Sequence, residues 1–114
     1  MIAQLNKMGY ETVLYKEGFV GFTFTVPDGR FKDQQIEVAL QAPNFPDIPP
    51  SGPHFKPFLL PVNAPVSTHP YGGIHPRNVP TAEFQYWSRP FHGWDSTNRD
   101  MGVYLAFIRQ LLDF

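Results

Sequence analysis

The chain has 114 residues, with 13 prolines, no cysteine, 42% hydrophobic and 16% aromatic residues, and a formal net charge of −1. That length predicts one domain around a single modest core, and the apolar content argues against disorder. The lack of cysteine excludes disulfides, thiolate metal sites and thiol nucleophiles, and the near-balanced charge, with no Lys/Arg cluster, argues against a nucleic-acid partner.

Ile2, Leu5 and Met8 recur at three-residue spacing and predict a short opening helix, which Gly9 ends. Glu11 to Gly18 is rich in β-formers and predicts a first strand. From Phe19 to Val26, strict alternation sets Val20, Phe22, Phe24 and Val26 on one face, and Pro27-Asp28-Gly29 predicts a turn. From Gln35 to Ala42 the alternation returns, with Ile36, Val38, Leu40 and Ala42 on one side and Gln35, Glu37 and Gln41 on the other. Successive strands with short connections predict an antiparallel meander with one buried face and one wet face.

Twelve of the 13 prolines lie between Pro43 and Pro90. Each disfavours helix and presses the residue before it toward extended geometry. His54 to Val62 predicts a fourth, edge-type strand, because Pro57 and Pro61 cannot donate to a ladder. Asn63 to Pro90 then reads as a long ordered loop, packed on the body through Tyr71, Phe84, Tyr86 and Trp87, with Phe91 and Trp94 just beyond it. Met101, Tyr104, Leu105, Ile108, Leu111 and Leu112 follow helical spacing and predict a final amphipathic helix packed on the sheet. Thr97 and Asp100 are expected to form its capping pair. The fold class predicted is therefore α+β in a single domain over residues 1–114.

No apolar run approaches the roughly 18–20 residues that a membrane span needs. The opening residues lack the basic stretch followed by an apolar one of a secretory signal. A cytoplasmic protein with no membrane partner is the expectation. Four histidines, His54, His69, His75 and His92, are spread too widely for the paired spacing of a zinc site, and Glu83 or Asp95 would join them only through tertiary placement. Gly72-Gly73 is too short for a phosphate loop. No metal and no cofactor are expected.

Several segments together resemble the ubiquitin-conjugating-enzyme (UBC) family. Asn44-Phe45-Pro46-Asp47-Ile48-Pro49-Pro50 is similar to that family's tyrosine-proline-x-x-proline-proline segment, with Phe45 in place of tyrosine. His75-Pro76-Arg77-Asn78 is similar to its His-Pro-Asn motif, with Arg77 inserted. Trp94, ending Phe91-His92-Gly93-Trp94, resembles the tryptophan that follows the active segment. The resemblance implies a four-stranded meander with a helix across it. It also implies a place in a bacterial ubiquitin-like conjugation pathway, with a ubiquitin-like protein and an activating-type enzyme as partners. The family's catalytic cysteine would fall, by count, at Tyr86, so no thioester can form. The chain is shorter at its C-terminal side than most of the family, which suits the short bacterial relatives.

Two mechanisms follow. In the first, a loop hydroxyl carries the modifier as an oxyester. A serine needs a base to become a nucleophile, and Ser88 with His92 supplies the residue types, Asn78 an oxyanion donor, and Tyr86 a second hydroxyl. In the second, the domain has no chemistry and holds a ubiquitin-like protein or its activating enzyme. There Phe45, Pro46, Pro49, Pro50, His75, Pro76, Trp87 and Trp94 shape or anchor the site. Each of these residues also has an ordinary reading: a rigid proline turn, a histidine bonded to its own turn, tryptophans packed on the core, and a solvated serine.

Overall fold

The computed structural model describes residues 1–64 and 72–114, so His69 and Tyr71 lie outside the described residues. Helix α1 (Ile2–Lys7) is followed by strands β1 (Val13–Leu14), β2 (Val20–Thr25), β3 (Gln35–Leu40), β4 (His54–Lys56), β5 (Ile74–His75) and β6 (Gln85–Trp87). Helix α2 (Met101–Leu112) comes last. The described strands form one sheet in the order β1-β2-β3-β4-β6-β5, with every pairing antiparallel. The α+β expectation holds; the four-stranded sheet becomes six-stranded.

The long hairpin forms where the alternation is clearest. Phe22 pairs with Val38 and Phe24 with Ile36, and these side chains enter one core with Phe55, Ile74 and Trp87. Opposite them, α2 buries Met101, Tyr104, Leu105, Ile108 and Leu112. Burying each large apolar side chain is worth about 1.5–3 kcal/mol, so this two-layer contact is the main source of stability.

Five expectations need correction. The first strand shrinks to Val13–Leu14, because Lys16–Gly18 turns as a single 3-10 segment with Glu17 in the left-handed region (φ 59°). In α1 only Leu5 is buried. Six residues make under two helical turns, so one member of the stripe reaches the core while Ile2 and Met8 stay exposed. The strand at His54 stops at Lys56, before Pro57, and it is internal, lying between β3 and β6. The span expected to be a loop supplies β5 and β6. The capping residue of α2 is Asp100, whose carboxylate accepts from the Val103 amide at 2.8 Å. The Thr97 hydroxyl instead donates to Trp94 O and accepts from the Arg99 amide.

The face of the sheet away from α2 is not simply wet. Phe19, Ala39 and Phe84 form a second buried cluster there, with Tyr15 and Val79 packed against it. Gly21 is required beneath it: a Cβ would stand 2.7 Å from the Tyr15 ring. This half-covered outer face positions the candidate site.

Candidate functional site

Register places one row of residues across all six strands: Val13, Gly21, Ala39, His54, Tyr86 and His75 are successive neighbours. Side chains alternate along a strand, so Gln85 and Trp87 point to the core while Tyr86 points outward. The outer row thus ends in three rings. Tyr86 lies 4.7 Å from His54 and 6.1 Å from His75, centroid to centroid, and is nearly parallel to the latter at 28°. The Tyr86 hydroxyl donates to Ser51 Oγ at 3.0 Å.

His54 is the buried member, 4% exposed. Its Nε2 is 3.0 Å from the Asn78 carbonyl oxygen and its Nδ1 is 3.2 Å from that of Ala39. Phe19 meets the ring edge-on at 4.9 Å. Burial pushes its pKa below the ordinary histidine value of 6.5, against the pull of the two carbonyls, which favour the charged form.

Around these rings runs a shallow groove. A hollow of about 260 Å³ is lined by Ser51, His54, Asn78 and Tyr86 with Glu17 and Gln41. It shares Gln41 and Ser51 with a hollow of about 210 Å³ along the Asn44 to Pro49 turn. It shares Glu17 and Asn78 with one of about 390 Å³ beside Pro76 and Val79. A larger hollow of about 640 Å³ lies farther along the outer face, at Thr23, Glu37, Lys56 and Phe58. Its charges are already matched, with Lys56 at 3.7 Å from Glu37 and 3.6 Å from Glu83.

The structure therefore gathers Tyr86, Asn78, His75 and Pro76 at one groove. It does not add Ser88 and His92. Both are exposed, and among the described residues no hydrogen bond joins either side chain to the other or to Asn78. Ser88 is held by its backbone, donating its amide to Gly73 O at 2.9 Å. The His75 ring stacks on Tyr86, and among the described residues no hydrogen bond ties its side chain to its own turn. Trp87 is a core residue, edge-on to Phe55 at 4.8 Å. Trp94 is buried too, and its indole N–H reaches Pro46 O at 2.8 Å while its ring lies 6.0 Å from Phe45. Phe45 and Pro49 are half-buried, Pro50 is buried and Pro46 exposed, so this turn is fastened to the body by Trp94.

His54, Ser51 and Gln85 escape sequence reasoning. Alternation from Phe55 inward would place His54 outward, beside Tyr86, once β4 and β6 are known to pair. Nothing in the sequence announces that pairing. Among the described residues no three His, Asp or Glu side chains gather at metal-binding distance, and no helix is long and apolar enough to cross a membrane.

No family model matches the chain, and no curated protein or solved structure matches it either.

Proposed function

We propose that this chain is a non-catalytic, ubiquitin-conjugating-enzyme-variant-like domain that holds a ubiquitin-like protein, or the activating enzyme of its pathway, in the groove at Tyr86. The observation that carries this reading is the separation of the reactive groups. Tyr86, at the position counted for the family's cysteine, lies in the groove beside Asn78, whereas Ser88 and His92 stand exposed outside it. A hydroxyl becomes a nucleophile only with a base in reach, and both nitrogens of His54, the buried ring next to Tyr86, already face carbonyl oxygens. Trp94 closing on Pro46 adds support, since it joins two segments that carry the family resemblance. The family assignment, the bacterial pathway and the cytoplasmic location belong to this same proposal.

The test is a conjugation reaction with a ubiquitin-like protein of the bacterial type, an activating enzyme, ATP and magnesium. The expected result is a non-covalent complex and no adduct. A hydroxide-labile, thiol-resistant adduct that persists in Ser88→Ala and disappears in Tyr86→Phe would replace this reading with oxyester transfer at Tyr86. One that disappears in Ser88→Ala would restore the serine mechanism.

A further inference from the structure

We propose that His54 is the positioning residue of the groove: its buried ring straps the Asn78 loop to the middle of the sheet, and one proton on that ring sets how firmly the strap holds. The proposal rests on the groove being the docking site, because Asn78 lines two of its three hollows.

The geometry is specific. Asn78 sits in the left-handed region, with φ 56°, a conformation that asparagine visits more readily than most residues but that still needs support. Among the described residues, the contact from His54 Nε2 to its carbonyl is the hydrogen bond that holds it. On the other side of the ring, Nδ1 faces Ala39 O on β3. Carbonyl oxygens only accept. A neutral imidazole has a single N–H and satisfies one of them, leaving a lone pair against the other; the imidazolium satisfies both. The ring cannot escape this choice by turning, because Phe19 meets it edge-on and Tyr86 covers its face.

The groups that face the ring set the direction of the balance. Glu17 lines the same hollow, Tyr86 and His75 follow on β6 and β5, and Lys56 lies two residues along β4 opposite Glu37 of β3. None of these charges touches the ring in a direct pair. Burial therefore outweighs the carbonyls, and the ring takes its proton only below the ordinary histidine value of 6.5. In that acid limb the second donor does not offset the cost of the buried charge, so protonation loosens the strap.

The test is an NMR titration of the labelled chain from about pH 8 to about pH 4.5, spanning the range in which histidine changes charge. The ring nitrogens of His54 are followed alongside the Asn78 and Val79 amides. The expected result is that those amides shift with the midpoint of the His54 ring, below 6.5, and that the shared transition is lost in His54→Gln. A His54 ring that titrates while both amides stay still would overturn the proposal, as would a ring that stays neutral to the end of the range. If His54→Gln does not fold, the coincidence of midpoints in the unaltered chain decides alone. A partner that binds with the same pH midpoint supports the coupling. Failure of any partner to bind would sink the docking reading, while the titration still decides the role of His54.

Discussion

Gln85 carries the densest polar load in the interior. Its side-chain oxygen accepts from the amides of Leu59 and Leu60 and from the Trp87 indole, and its amide donates to Leu60 O. It is fully buried, so removing it strands several groups without water. Gln85→Leu is expected to cost about 3 kcal/mol or more in urea unfolding, given about 1–3 kcal/mol for each buried group left unpaired. The reverse case is Tyr104, whose hydroxyl is buried with no hydrogen-bond partner among the described residues. Tyr104→Phe removes that group and keeps the ring, and is expected to be stabilising by about 1 kcal/mol; a clear loss of stability would contradict this. On the outer face, burial and the hydrogen bond to Glu37 push Tyr15 up to about 12. Ultraviolet titration should show it ionising late, and Glu37→Gln should bring it back toward 10.0. Counting along the family resemblance located Tyr86, the resemblance marked Trp94, and the aromatic content of the loop marked Trp87. It did not locate His54 or Gln85, because a buried polar residue is defined by partners far away in the chain.

The elements divide by length. β2, β3 and α2 are legible because each runs long enough to repeat its period; the pattern selects their core-facing residues, while Gly21 and Ala39 are buried on the outer face as well and Leu111 is only half-buried. β4, β5 and β6 have two or three residues each, the first two bounded by prolines or a glycine, and exist through pairing with distant strands. No local period can show that. Both ends of α2 depend on single residues. Asp100→Ala removes the bond to Val103 and is expected to cost about 1 kcal/mol. At the other end, Gly29 in the β2–β3 turn has φ 87°, and a Cβ there would stand 2.5 Å from Leu112 O. Beside it, Arg30 donates its amide to Phe114 O at 2.8 Å and places its guanidinium 4.4 Å from the Phe114 ring. Gly29→Ala should therefore loosen the turn from α2, with faster hydrogen exchange at Asp113 as the readout.

Across the whole molecule, one face of the sheet makes the core with α2, and the other pairs a small buried cluster with an open groove. His54 links these to solution conditions. Its folded-state pKa is depressed, so the unfolded chain binds the proton more readily. Stability contributed by the neutral ring is then complete above the ordinary value of 6.5 and falls as pH drops through it toward the folded value. Urea midpoints should decline as the pH falls below 6.5, and less steeply in His54→Gln. The central claim concerns the groove itself. It is tested most directly by titrating the proposed partner, a ubiquitin-like protein, into the labelled chain and mapping the amides that shift, together with the affinity of Tyr86→Ala. Non-covalent binding should perturb Ser51, Asn78 and Tyr86 and weaken at least about tenfold in the variant, the loss of about 1.4 kcal/mol expected for an aromatic anchor. Full-strength binding by Tyr86→Ala, with shifts confined to the opposite side of the molecule, would contradict it.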